Sequence, residues 1–471
     1  MIEGLQPYPA SAMKPMVRTN STNIPWLGSI PSHWRVVRSN GLFAPRTERA
    51  RPDDEQLAAT QAYGVIPQAE FERRAGRKVV RITQHLDKRA HVEPDDFVIS
   101  MRSFQGGLER AWARGCIRSS YVVLRPSTEA GVGYFAHLFK CRDYILALQA
   151  TSNFIRDGQD LNMNNFRLVD LPLPPMDEQA AIARFLDHVN RKIDGFIRAK
   201  RKLITLLGEQ KQAIIHSAVT RGLDPNAPLK PSGIPWLGDI PRHWEVKRIK
   251  HLLKEVDNRS TTGAEPLLSM RMHHGLVVFA EHFTRPPQAA SLVGFKIVKP
   301  GQFVVNRMQA GNGVIYSSNL AFAGLVSPDY AVFDPIADVN VVYLGELFRS
   351  PTVRTKFRSE SKGLGTGTSG FLRLYNDRFG AIHISLPPRR EQDSILRILG
   401  EEHADLNTAI ARTEREIALM QEYRTRLTAD VVTGKLDVRA AAASLPDLPA
   451  DPTFEPTADE FSEEAELEDM T

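Results

Sequence analysis

Residues 24–38 read IPWLGSIPSHWRVVR, and residues 234–248 read IPWLGDIPRHWEVKR. Eleven of the fifteen positions are identical at an offset of 210. A second pair follows at an offset of 213, LPPMDEQ at 173–179 and LPPRREQ at 386–392, and the same offset relates VTRGLD at 219–224 to VTGKLD at 432–437. Three collinear matches of this quality make the chain a tandem duplication, and self-similarity of this kind outranks any local reading. Between the anchors the copies diverge. Echoes survive at strand-like places, DFVIS at 96–100 against QFVVN at 302–306, and Gly115 with Tyr121 against Gly324 with Tyr330. The drift from 210 to 213 gives the second copy three extra residues in its variable part. A scaffold that persists while the residues between its anchors change describes one fold used for two different tasks of the same kind.

A chain of 471 residues predicts two to four domains. Its 42% hydrophobic and 24% charged residues are those of a globular protein with proper cores. The net charge of +5 hides an asymmetry. Ten of the 55 acids and none of the 60 Lys and Arg fall in 441–471, which leaves a net +15 on residues 1–440. A basic body suits a polyanionic partner, and the acidic tail has the composition of a disordered segment. Two cysteines, Cys116 and Cys141, exclude a disulfide scaffold and a four-Cys zinc site. No run of about 18 apolar residues is present and the N-terminus lacks a signal peptide's apolar core, so a cytoplasmic protein without a membrane span is expected.

Each copy opens with an extended, proline-bearing strip whose Trp26 and Trp34, and Trp236 and Trp244, are read as packing anchors because both copies carry them. The variable parts predict strands at 97–101, 121–124, 303–305 and 331–333, and helices at 135–148 and 344–357. After each LPP segment the apolar spacing alternates four and three. The first copy places Leu186, Val189, Ile193, Phe196, Leu203, Leu207 and Ile214 on this seam; the second places Leu399, Leu406, Ile410, Ile417, Met420 and Leu427. That is a coiled-coil heptad. Asp177 and Glu178 suit a helix start and Arg221-Gly222 a helix end, whereas Arg389-Arg390 predict a less well defined start for the second helix. Gly195 and Gly208 inside the first helix permit either close helix contact or bending. A helix of roughly 43 residues would be about 65 Å long. Its apolar seam needs a mate, and duplication makes the other copy's helix the antiparallel candidate.

Two variable domains, each closed by an LPP–EQ segment that opens a long helix, resemble the specificity subunit of type I restriction-modification systems. The resemblance spans residues 24–437 and leaves the acidic tail uncovered. It implies an α+β fold of two tandem target recognition domains joined by two long antiparallel coiled-coil helices with pseudo-two-fold symmetry. The corresponding boundaries are an N-terminal segment at 1–22, recognition domains at 23–172 and 233–385, helix segments at 173–232 and 386–440, and the tail at 441–471. The resemblance further implies a non-catalytic subunit in which each domain reads one half of a bipartite double-stranded DNA site. The helices would set the spacer and, with neighbouring surfaces, hold two methyltransferase subunits, to which restriction subunits can be added. No cofactor is expected in this chain; S-adenosylmethionine, ATP and Mg belong to the partner subunits.

Base reading needs polar side chains on protruding loops, and phosphate positioning needs Arg, Lys and backbone amides. After the 97–101 strand the first copy has Arg102, Ser103 and Gln105, and the matching place in the second has Arg307, Gln309 and Asn312. The loop before each LPP segment adds Arg156, Gln159 and Asn162 in the first copy, and Lys362, Thr366, Thr368, Ser369 and Arg373 in the second. Plain hairpin-turn chemistry accounts for the same residue types. The runs Arg73-Arg74-Arg77-Lys78-Arg81 and Arg354-Lys356-Arg358 suit phosphates or a solvated surface. The sequence at 363–370, GLGTGTSG, lacks the Lys-Ser/Thr ending of a phosphate loop. No Asn-Pro-Pro-Tyr segment marks an amino-methyltransferase, and His33, His243, His273 and His274 have no ligand spacing. Two other functions remain open to the sequence: a DNA-binding or coiled-coil adaptor outside restriction-modification, and an enzyme with an unrecognised site.

Overall fold

The heptad spacing produces two long helices, Met176–Arg221 and Arg389–Val432. They belong to a computed structural model of the chain that describes residues 14–16, 19–76, 78, 88–100, 103–151, 162–271, 274–283, 286–364 and 371–446. Proline fits the entry to both, because the first helical turn leaves its N–H groups without intrahelical partners. The second start is as regular as the first, contrary to expectation. Arg389 engages Asp393 at 3.2 Å and Asp338 at 3.3 Å, and Glu391 supplies the first-turn acid. Positive φ ends both helices, at Gly222 (79°) and Gly434 (75°). A Cβ at Gly195 or Gly208 would meet nothing within 4 Å, so neither marks a close helix approach. Among the described residues no helix is long and apolar enough to cross a membrane.

The chain divides into two compact units, Met1–Lys202 with Glu414–Thr471, and Leu203–Thr413. Each unit therefore holds the first part of one long helix and the last part of the other. In the first unit Lys200 meets Glu416 at 2.7 Å and Arg424 pairs with Asp194. In the second, Lys211 donates to Asn407 Oδ1 at 2.9 Å. Rising numbers on one helix meet falling numbers on the other in the first unit, and in the second Gly222 at the end of one helix lies against Glu391 at the start of the other, so the helices pair antiparallel within each unit.

The expected seam is buried at Leu186, Val189, Ile193, Leu399, Ile417, Met420 and Leu427, and half-buried at Phe196, Leu207, Ile214, Leu406 and Ile410. Leu203 departs from it, being 39% exposed. A straight helix drifts about 20° per heptad from a strict seven-residue repeat. The buried stripe accordingly moves from Ile182 and Val189 to Ile197 and half-buried Ile204, one position past the heptad, and Leu203 turns outward.

Each unit has a four-stranded antiparallel sheet with the same order. In the first, Phe43–Pro45 pairs with Val122–Pro126, which pairs with Phe97–Ile99, which pairs with Glu109–Arg110. In the second the order is Leu253–Val256, Ala331–Pro335, Phe303–Val305 and Ile315–Ser317. A separate pair, Arg35–Arg38 with Asp170–Leu173, joins the opening strip to the LPP segment, as Glu245–Arg248 with His383–Leu386 does in the second unit. The helices expected at 135–148 and 344–357 are each broken in two, Val132–Leu138 with Arg142–Ala150, and Val341–Arg349 with Pro351–Glu360. Pro351 explains the second break: it forces the preceding Ser350 out of the helical region, to φ −63° and ψ 144°. Cys141 makes the first break with φ −67° and ψ 132°, without a proline.

The duplicated anchors share one task. Glu178 accepts the Trp34 indole N–H at 2.8 Å and lies 2.6 Å from His33 Nε2. Glu391 accepts the Trp244 indole N–H at 3.1 Å and lies 2.7 Å from His243 Nε2. Next in sequence, Gln179 accepts the Gly131 N–H at 2.7 Å and donates to the Pro174 carbonyl at 2.9 Å; Gln392 does the same with Asn340 at 2.8 Å and Pro387 at 2.9 Å. The far end of the other long helix completes each anchor. Tyr134 donates its hydroxyl to Val432 O at 2.8 Å, and Tyr343 donates to Val219 O at 3.0 Å. These carbonyls lack intrahelical partners because the helices end there. Tyr134→Phe and Tyr343→Phe should therefore each cost about 1–3 kcal/mol, the range for a buried acceptor left unsatisfied. Melting temperatures of the two variants would check this, with a similar fall expected for both.

Candidate nucleic-acid interface

The sheets present corresponding turns beyond strands that are themselves wholly buried, Phe97–Ile99 and Phe303–Val305. In the first unit the turn consumes one of its candidates. Ser103 Oγ accepts the Ser100 N–H at 2.9 Å while the Ser103 N–H donates to Ser100 O at 3.0 Å, and the residue is 1% exposed. Its hydroxyl shapes the turn and is not available to a ligand. Gln105 is exposed in the short helix Ser103–Gly106. Gly107 closes the turn at φ 79°, where a Cβ would overlap the Phe139 carbonyl oxygen. Asn162 caps the helix Met163–Arg167, accepting the Asn164 N–H at 2.8 Å in a capping box with Asn165. Arg102, Arg156 and Gln159 lie outside the described residues.

The second unit brings its two candidate segments together. The Leu374 N–H donates to the Arg307 carbonyl at 2.9 Å, which stitches the segment ending at Arg373 to the turn beginning at Arg307. Lys362–Leu364 pairs with Phe371–Arg373, placing exposed Lys362 opposite Arg373. Arg307 Nε donates to Asp329 O at 3.0 Å, and the Arg373 guanidinium lies over the Tyr375 ring, 5.6 Å from its centroid. Burial, and then the nearby Arg373, hold the Arg307 guanidinium below its ordinary pKa, against weaker opposite pulls from Glu255, Asp329 and Asp257. Gln309 and Asn312 are exposed on the turn, and Asn312 Oδ1 accepts from Arg358 Nη2 at 3.1 Å. Thr366, Thr368 and Ser369 lie outside the described residues.

Tyr375 beneath Arg373 and Arg358 behind Asn312 were not assigned as supports by the sequence. The first left a trace in its i, i+2 spacing, which puts side chains on one face of extended chain. The second joins residues 46 apart and left none. His33 and His243 serve the helix anchors, and His91 is buried between Asp54 at 2.6 Å and Glu93 at 2.8 Å. Burial pushes both the Cys116 and Cys141 thiols up, so neither is an activated nucleophile. Among the described residues no three His, Cys, Asp or Glu side chains are grouped to hold a metal.

No protein-family model matches the chain. It is similar to the type I restriction enzyme MjaVIII specificity subunit of Methanocaldococcus jannaschii, with 26% identity over 48% of this chain and 50% of that protein. It is also similar to the type I restriction enzyme EcoKI specificity subunit of Escherichia coli K12, with 23% identity over 79% of this chain and 81% of that protein. The match thus spans about half the length of the first relative and most of the second. Among solved structures, a chain of a type I R-M system described for complex assembly and conformational transition superposes with a TM-score of 0.59 at 14% identity, covering 86% of this chain and 99% of that one. The resemblance to type I specificity subunits indicated by the repeated motifs therefore holds in sequence, and the fold agrees.

The close approach at Gly107 yields a test of the first turn. Gly107→Ala combines positive φ with a backbone clash and should cost more than about 2 kcal/mol. Chemical denaturation followed by circular dichroism would register it; a variant as stable as the parent would contradict the close approach.

Proposed function

We propose that this chain is the sequence-specific DNA-recognition subunit of a type I restriction-modification complex and has no catalytic role of its own. The observation that carries this reading is the similarity to the EcoKI specificity subunit along 79% of the chain. The repeated strand order and the two matching sets of helix anchors support the finer picture of tandem recognition domains at 23–172 and 233–385, related by pseudo-two-fold symmetry. In it each domain reads one half of a bipartite duplex site, and the antiparallel helices set the spacer between the halves. The net +15 of residues 1–440 suits the phosphate-dominated attraction that underlies DNA binding. Gln105 in one domain, and Arg307, Gln309, Asn312, Lys362 and Arg373 in the other, are the DNA-facing candidates among the described residues.

Partner docking has a distinct candidate surface. Leu203 and Leu206 are 39% and 51% exposed on a long helix, beside half-buried Ile204 and Leu207. Clustered apolar side chains in water mark interaction surfaces, and this one suits a methyltransferase subunit. Two such subunits would carry S-adenosylmethionine, and added restriction subunits would use ATP and Mg.

Modification-sensitive sequencing of DNA methylated by the assembled complex should reveal one interrupted motif with adenine methylated in both halves. Exchanging residues 40–169 for the equivalent segment of another subunit should change one half and leave the other; change in both halves or in neither would refute the modular reading. Leu206→Glu should reduce co-purification of the methyltransferase at least about tenfold without lowering the melting temperature, since exposed positions seldom affect stability.

A further inference from the structure

The second unit's turn carries two kinds of polar group, and they differ in how they are held. Arg307 is half-buried, with its Nε committed to Asp329 O at 3.0 Å and its carbonyl bonded to the Leu374 N–H at 2.9 Å. Arg373 is half-buried against Tyr375, and its Nε is buried with no acceptor among the described residues. Lys362 stands opposite Arg373 in the strand pair. Among the described residues none of these three cations is ion-paired with a carboxylate. The acids felt by Arg307 are Glu255, Asp329 and Asp257, and Asp257 is engaged by Arg259 at 3.1 Å and Lys296 at 3.3 Å. Like charges gathered without a counterion are unfavourable in the free protein, and an anion placed between them relieves that cost. A phosphodiester fits best, because guanidinium forks match its paired oxygens in geometry and charge.

Gln309 and Asn312 are held differently. They protrude from a turn whose glycines admit arginine side chains from behind. A Cβ at Gly311 would lie 3.2 Å from the Arg358 side chain, and one at Gly313 would lie 3.1 Å from that of Arg354. Arg358 takes one of the two lone pairs of the Asn312 carbonyl oxygen and so leaves the carboxamide an acceptor site beside its N–H donors. Exposed carboxamides are the side chains that pair with adenine edges.

We propose that Arg307, Lys362 and Arg373 form a seat for one DNA backbone phosphate, and that base discrimination in this unit falls to Gln309 and Asn312, the latter held by Arg358. This division of labour rests on the DNA-recognition reading above. It predicts which variants alter the motif and which alter only the strength of binding.

The test uses the full chain assembled with its methyltransferase, a duplex containing the motif found by sequencing, and a scrambled duplex. Arg373→Ala and Arg307→Ala should weaken binding to both duplexes by a similar factor and leave the methylated motif unchanged. The slope of log affinity against log salt should become shallower by about 0.9 for each phosphate the variant no longer engages. Arg373→Lys, which keeps the charge, should restore most of that slope and so separates removal of charge from misfolding. Gln309→Ala and Asn312→Ala should relax one half of the motif with the salt slope intact. If Arg373→Ala relaxes a base position while the slope stays constant, the seat is a base reader and the proposal fails. An unchanged affinity and slope in both arginine variants also overturns it. Failure of the unmodified complex to prefer its own motif would refute the DNA-recognition reading itself, a result distinguishable from either.

Discussion

A carboxylate accepting an indole N–H, buried at Glu178 and half-buried at Glu391, is the constraint on which the rest of the molecule depends. Glu178 with Trp34, and Glu391 with Trp244, fix the first turn of a long helix to the extended strip that opens the same copy. Removing a carboxylate from water is costly unless it is paired and hydrogen-bonded. Glu178 meets that demand with Trp34, His33 and Arg439, the last at 3.0 Å, so two segments far apart in sequence converge on one side chain. Because the helix start is fixed there, the adjacent glutamine can bridge the proline carbonyl and the sheet domain. The tyrosine beside it then receives the end of the opposite helix. This explains why the strip, the LPP–EQ segment and the VT–LD end are the parts that repeat in sequence. They are three sides of one joint.

Architecture was legible wherever identical residues recur at a fixed offset or a period extends over many turns. The duplication, the two long helices and the mixed nature of the domains follow from those patterns. What escaped was set by local geometry or by distant partners. Leu203 fits a strict heptad and nonetheless faces outward, because the helix keeps 3.6 residues per turn. The helices expected at 135–148 and 344–357 have apolar periodicity across a break that only backbone dihedrals expose. Ser103 has the chemistry of a base reader, but its hydroxyl is consumed three residues away. The meeting of Arg307 with Arg373 spans a sequence separation that no periodic pattern encodes.

The divergent parts obey a different rule. Phe97 and Phe303 occupy matching central strands, and Phe139 and Phe348 pack against them with ring centroids 5.0 Å and 5.7 Å away. Phe43 of the first unit corresponds to Leu253 in the matching strand of the second, whereas Leu124 corresponds to Phe333. The bulky ring has changed strands while the core has stayed filled, as interiors tolerate when volume is kept. Turns beyond those strands are free of that restriction, and there the chemistry of the two copies parts company: Gln105 on a short helix in one, an amide-bearing turn braced by arginines in the other.

The composition of the first unit also governs the order in which the molecule can be made. That unit includes residues 414–446, and Tyr134 closes on Val432 across a separation of 298 positions. A ribosome releases the first sheet domain long before the helix end that completes it. Pairings of such separation carry a large loop-closure cost and slow folding. The first sheet domain must therefore keep its joint open until the end of the second long helix has been made.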